Sequence, residues 1–356
     1  MNRKTVLVFI SLIFVCLLST SMVFAADNTT ESVDNGADDS SASDIDDSGA
    51  SDIDDSTTVD KNTKTGTIDD FKNDLLESDC NLSLKRNYEF TVGPDSKYFE
   101  TGIVINNSDV FIEGNNYTIN MNSLGSLFTV YDSEVTINNL NIRNTNANAI
   151  RIIDSNLTTT HVNFENNDIS DSRAVLVIES SYNSSGDTFT NLNNEFGSAI
   201  FVTDESGLIL TNATFNMNQS INWACIYISN SEAIIANTTF ANMKSKYATA
   251  IYNTNGTIVV YNCTFMNLNA NETAGAIGVK DIDSSIVLID NCTFINVTSV
   301  KNGGALFADI NGMLGIKRGG VLVKNSLFED CGSNFGGAIL QLGGTLTIIN
   351  STLTKN

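Results

Sequence analysis

Side chains able to act as acids, bases, nucleophiles or metal ligands are sparse in this chain of 356 residues. The single histidine, His161, lies in the run THVNF beside an apolar strand-like segment, where a polar outward position is expected. Polysaccharide cleavage needs two opposed carboxylates, or carboxylate-held calcium with an Arg or Lys base. No Gly-His-Gly element and no basic cluster among paired Asp residues occurs, so no catalytic residue, metal or cofactor is expected. Outside an apolar leader the cysteines are Cys80, Cys225, Cys263, Cys292 and Cys331, an odd number that cannot all pair in one chain. No C-x-x-C pair points to zinc or redox work. Cys263 and Cys292 hold the same place in neighbouring NCTF units. They make either a disulfide or two stacked thiols, since Ala213, Thr238, Ser326 and Ser351 fill that place elsewhere. The extra residues of two enlarged units fall in the same turn and include Lys280, Asp281 and Asp283 in one and Asp309, Asn311, Lys317 and Arg318 in the next. It reads as a solvated charged turn or as a contact for carbohydrate or protein.

What positions these residues is a repeat, best seen in AIYNTNGTIVVYNCTFMN (Ala250 to Asn267). A small residue recurs at Ala149, Ala174, Ala199, Ala224, Ala250, Ala276, Ala305 and Ala338, with steps of 25, 25, 25, 26, 26, 29 and 33. A large apolar residue closes each unit at Ile142, Phe164, Phe189, Phe215, Phe240, Phe265, Phe294, Phe328 and Leu353. A period of this size marks a solenoid whose units bury their apolar faces only by stacking. The units are rich in Thr, Asn, Val, Ile and Gly, and segments such as Thr257 to Tyr261, Ile286 to Ile289 and Thr345 to Ile349 are β-branched. The fold class is therefore all-β, a right-handed parallel β-helix with three short strands per coil. Coils rise by about 4.8 Å, with the aligned Phe residues inside. Asn212, Asn237, Asn262, Asn291, Asn325 and Asn350 fall at one bend, where Asn tolerates left-handed backbone and can bond its neighbours in the stack.

Four segments follow in order. Residues 1–25 read as a signal peptide, with a basic head at Arg3 and Lys4, an apolar core from Val6 to Leu18 and a cleavage site before Ala26. Residues 26–67 form an acidic Ser/Asp-rich linker with 12 acidic residues against Lys61 and Lys64, too polar to fold. Residues 68–80 read as a capping helix, with Ile68, Phe71, Leu75 and Leu76 on one face to cover the open first coil. Residues 81–356 are the β-helix, with Pro94 in a turn between the first coils.

The passages TGIVINNSDVFIEGNNYT (Thr101 to Thr118), NNLNIRN (Asn138 to Asn144), GGALF (Gly303 to Phe307) and GGAIL (Gly336 to Leu340), with NCTF, resemble the large adhesin-like surface proteins of methanogenic archaea. Those belong to the pectin-lyase-like β-helix superfamily. The GGA and F-x-x-N elements are also similar to those of chlamydial polymorphic membrane proteins. The resemblance covers roughly residues 68–356 and the leader, and it rests on scaffold motifs that specify fold more than function. It implies a secreted cell-surface protein that attaches to a glycan or protein of another cell or of the envelope, without catalysis. A carbohydrate-active lyase or hydrolase and a purely structural envelope component are the alternatives.

Composition agrees with export. Without Arg3 and Lys4 the chain holds 17 basic and 41 acidic residues, which excludes nucleic acid and an anionic membrane as partners and favours cationic ones. No membrane insertion is expected after signal cleavage. Acceptor sequons begin at Asn28, Asn81, Asn106, Asn116, Asn156, Asn183, Asn218, Asn255 and Asn271, among others. Those in the bend series, such as Asn262 and Asn291, are expected to point inward and stay bare. The strand edge of the C-terminal coil, Gly343 to Ile349, offers end-to-end pairing with another chain.

Overall fold

The computed structural model describes residues 64–166, 172–192, 197–217, 221–281, 286–310 and 319–356. The expected signal peptide and nearly all of the acidic linker lie outside the described residues. Gly66 pairs with Tyr88 as a lone parallel bridge and Thr67 caps the following helix, so the fold begins slightly ahead of the expected boundary.

Helix α1 spans Ile68–Glu77, three residues shorter than expected. Thr67 and Asp70 form a reciprocal capping box, and the carboxylate of Asp95 accepts the backbone N–H groups of Ile68 (3.1 Å), Asp69 (2.8 Å) and Thr91 (2.7 Å). Ile68, Phe71 and Leu75 are buried, with Phe71 lying 5.1 Å from Tyr88 and 6.0 Å from Phe128 in the first coils. Leu76, expected on that face, is 58% exposed instead. At 100° per residue it stands beyond the stripe set by the other three.

The remainder is a right-handed parallel β-helix of three sheets, two of eleven strands and one of ten among the described residues. Sheet I holds segments such as Thr257–Tyr261, sheet II Thr264–Ala270 and sheet III Ile251–Thr254. Each strand pairs in parallel with its equivalents one coil away. The closing apolar series is in register throughout, from Ile142 through Phe164 and onward to Phe328 and Leu353. Six consecutive ring pairs from Phe164 to Phe328 stack face to face, with centroids 4.4 to 5.4 Å apart. Full burial contributes about 1.5–3 kcal/mol per ring, and the offset stacking adds to it.

Three bends per coil are held in left-handed backbone. The bend between sheets I and II is left-handed at Asn139, His161, Gly186, Asn212, Asn237, Asn262, Asn291, Asn325 and Asn350. Asn262 Nδ2 donates to Asn237 Oδ1 (2.7 Å) and Asn291 Nδ2 to Asn262 Oδ1 (3.0 Å), so these side chains form an outward ladder and do not point inward. The ladder shifts at Asn325, which donates to Asp290 Oδ1 at 2.8 Å, and resumes from Asn350 to Asn325. A second ladder, absent from the sequence reading, runs from Asn296 through Asn267 to Asn242. Serines make a third on the bend between sheets III and I, where the N–H groups of Ser108, Ser133, Ser155, Ser180 and Ser206 each bond the next serine hydroxyl.

One register reading changes. Ala199 and Ala250 stand in line with Cys225, not Ala224, because Ile226 pairs with Ile200 and Ile251. In the strand that Ile251 opens, Asn253 faces inward, fully buried, and donates to Gly256 O at 2.9 Å.

Candidate functional site

Strand alternation puts Ile251 and Asn253 of sheet III in the tube and Tyr252 and Thr254 on its outside. The outer column therefore reads Leu176, Phe201, Tyr227, Tyr252, Gly278, Phe307 and Leu340, each in register with the next. Phe201 meets Tyr227 edge-on at 5.2 Å, and Tyr227 lies 5.3 Å from Tyr252. Along the edge leading into the sheet, Trp223 and Tyr247 lean over this floor. Trp223 is 4.9 Å from Tyr252 and 4.7 Å from Tyr247, which stands one coil further on. Gly278 is what lets Tyr252 lie flat, since a Cβ there would come within 2.7 Å of its ring. The next outward column, Ser229, Thr254, Lys280 and Asp309, forms the far rim. Burial pushes the Tyr252 hydroxyl well above its ordinary pKa, with Tyr227, the Asp309 carboxylate and Tyr247 adding to it; burial likewise raises Tyr227. The result is an aromatic floor and wall bordered by hydroxyls and charges, a surface for holding flat, partly apolar ligands.

Two overlapping stretches, residues 125–275 and 198–356, match the model of the right handed beta helix region. The chain belongs to the right-handed β-helix family. Among solved structures, this β-helix is similar to ORF18 of Geobacillus virus E2 (TM-score 0.33, 11% identity, 69% of this chain and 54% of that one). It is also similar to the catalytic domain of a GH87 alpha-1,3-glucanase in complex with nigerose (TM-score 0.28, 12% identity, 77% and 62%) and with tetrasaccharides (TM-score 0.28, 11% identity, 77% and 62%). The chain thus spans only 54% to 62% of the length of these structures. No curated protein sequence matches it.

Of the charged set expected to bind ligand, the β-helix brings Lys280 and Asp309 together as strand partners on sheet III, beside the aromatic floor and not in a loop. Asp281 ends the same strand. Asp283, Asn311, Lys317 and Arg318 lie outside the described residues. Cys263 and Cys292 are buried free thiols in adjacent coils. Each sulfur donates to a backbone carbonyl, Cys263 to Tyr261 O and Cys292 to Asp290 O, both at 3.3 Å, and burial pushes the Cys292 thiol well above its usual value. His161 takes the bend place that Gly186 fills in the next coil and Asn in the others of the series, exposed and left-handed, its ring over Gly186, where a Cβ would lie 2.5 Å from Cδ2. Among the expected glycan acceptors, Asn81, Asn106, Asn116, Asn255 and Asn271 are exposed, Asn156 and Asn183 half-buried, and Asn28 and Asn218 outside the described residues.

The aromatic face escaped the sequence reading because of the slip at Ala224. A one-residue shift exchanges inward and outward sides, which took Tyr227 out of line with Phe201 and Tyr252. Counted from Ala199, Cys225, Ala250 and Ala305, an aromatic stands two residues on in every case. A second feature also went unseen. Asp187 is fully buried inside the tube, accepting from Ser184 Oγ (2.6 Å), Val162 N (2.7 Å) and Thr159 Oγ1, with Tyr182 OH at 3.5 Å.

Proposed function

We propose that the protein is a secreted cell-surface β-helix of adhesin type, which engages a glycan or protein of another cell or of the envelope through the outer face of sheet III. The observation that carries this reading is the register of Phe201, Tyr227 and Tyr252 beneath Trp223, a built aromatic surface on the outside of a rigid tube. Large aromatic groups set on a rigid element, with polar tips at the rim, are what binding surfaces use to gain contact area with little loss of side-chain freedom. Export is part of the proposal and follows from the leader; the mature N-terminus is expected at Ala26. The competing reading, a carbohydrate-active enzyme, is favoured by the nearness of Asp309 and Lys280 to the same rings.

One experiment separates them. The purified mature chain is applied to a glycan array and to intact cells, and the same glycans are followed for reducing ends or unsaturated products. Retention lost on Trp223→Ala, with no product formed, is the expected outcome. Product formation abolished by Asp309→Asn would replace the binding reading with the enzymatic one, and unaltered retention by Trp223→Ala would remove this face from consideration.

A further inference from the structure

At the bend between sheets I and II, one place follows each left-handed residue. It is filled in successive coils by Val162, Asp187, Ala213, Thr238, Cys263, Cys292, Ser326 and Ser351. A hydroxyl in this place accepts the backbone N–H of the equivalent residue one coil before: Thr238 from Ala213 (3.4 Å), Ser326 from Cys292 (3.1 Å) and Ser351 from Ser326 (3.1 Å). Serine therefore suits the place, and its oxygen is a better acceptor than sulfur. Two adjacent coils nevertheless carry cysteine. The strands on either side are in register, Tyr261 with Asp290 and Thr264 with Thr293, and Cys263 O accepts the Thr293 N–H at 3.0 Å. The two Cα atoms are thus stacked at one coil rise, about 4.8 Å, within the span of a disulfide. Both sulfurs turn the same way, each reaching the coil before it at 3.5 Å, Cys263 to Ile235 O and Cys292 to Val260 O. The other cysteines have no such neighbour. Cys80 lies in line with Val110, Cys225 with Ala199 and Ala250, and Cys331 with Val297.

We propose that Cys263 and Cys292 are a redox pair that closes into a disulfide between adjacent coils under oxidising conditions. The structure shows the reduced pair. The Cys292 thiol beside it holds the Cys263 pKa below the ordinary cysteine value, whereas burial raises Cys292, so Cys263 is the sulfur that ionises first. Hydrogen peroxide, small and uncharged, is the class of oxidant that suits a buried sulfur. The Cys263 thiolate attacks one peroxide oxygen; an S–O bond forms, the O–O bond breaks and hydroxide leaves. Cys292 gives its proton to that hydroxide and attacks the Cys263 sulfur; the S–S bond forms and the S–O bond breaks. The second hydroxide takes up the proton that Cys263 first released. Two thiols and one peroxide become one disulfide and two waters, and two electrons pass from sulfur to oxygen. The bond joins the coil that carries Tyr252 to the coil that carries Gly278, on which that ring lies flat. By closing a loop in the unfolded chain it holds the middle of the tube against unfolding. It also accounts for the odd number of cysteines, as one bridge and three single thiols.

The mature chain is purified without reductant, and a second sample is reduced and then exposed, folded, to hydrogen peroxide. Both are unfolded and alkylated before intact-mass and peptide analysis. Three of the five cysteines should take the label, all five should do so after reduction, and one peptide pair should link Cys263 to Cys292. The oxidised chain should melt about 5–10 °C above the reduced one. In Cys263→Ser, where the new residue is one that other coils already hold in this place, all four remaining thiols should be labelled and reductant should leave the melting temperature unchanged. Cys292→Ser should behave alike. Five labelled thiols in both samples would overturn the inference. So would Cys263 recovered as sulfinic acid while Cys292 still takes the label, or a bridge mapped to any other pair.

Discussion

Asp187 occupies a place that other coils fill with Val162, Ala213, Thr238 or Cys263, and it is the one carboxylate in that column. Its burial raises its pKa, while the hydroxyls of Ser184 and Thr159, the Val162 N–H and Tyr182 OH oppose the rise by bonding the charged form. The net displacement is upward, which fixes the sign of the pH effect. With a folded pKa above the ordinary carboxylate value near 4, the group contributes stability that is complete in acid and is lost as pH climbs through the folded value. Melting of the wild type should therefore lose ground to Asp187→Asn from about pH 4 upward, since the amide can still accept from Val162 N–H through Oδ1 and donate through Nδ2 to the Ser184 and Thr159 hydroxyls, without the charge. A difference between the two proteins that stays constant with pH would show that Asp187 does not titrate in this range. Nothing in the sequence marks this residue, because a repeat reports the column and not the exception to it.

At the scale of the element, the bends carry as much of the fold as the strands do. Asn262 has φ of 51° and bonds Asn237 below and Asn291 above. Asn262→Ala should cost about 1–2 kcal/mol for left-handed backbone and about 1 kcal/mol for the lost side-chain bonds. Asn262→Gly retains the backbone freedom and should cost only the second part. Denaturant unfolding of the two variants checks this, and equal losses would mean that backbone conformation is not what selects Asn here. The ladder also bears on glycosylation, since Nδ2, the atom that a glycan would modify, is already donated within the stack. Native protein is expected to carry glycan at exposed acceptors off the ladder, such as Asn81, Asn106, Asn116 and Asn271, and none at Asn262 or Asn291; glycopeptide mapping decides it. The Phe column and the Asn bend were legible from the sequence because each repeats one residue type at one phase. The serine ladder was not, since serine is common throughout these turns, and neither was the Asn242, Asn267, Asn296 ladder, which spans only three coils.

At the scale of the whole molecule, the two ends of the described tube differ. Helix α1 buries Ile68, Phe71 and Leu75 over the first coil. At the other end, Leu346, Ile348 and Leu353 stand in register with the buried Val321, Val323 and Phe328 but are 38%, 41% and 43% exposed. These side chains and this strand edge are where a further coil could stack, and we propose that a second copy of the chain supplies it. A second copy could not add head to tail without displacing α1, so two copies should meet tail to tail about a two-fold axis, their edge strands antiparallel. Such a contact closes on itself and yields a dimer, not a filament. Light scattering of the mature chain across a hundredfold range of concentration should show a shift from monomer to dimer and no larger species. Ile348→Lys, which places a charge on the exposed edge, should hold the chain monomeric with its melting temperature little changed at low concentration. Dimers that persist in that variant would mean the contact lies elsewhere, and open-ended growth would mean that α1 does not close the first coil.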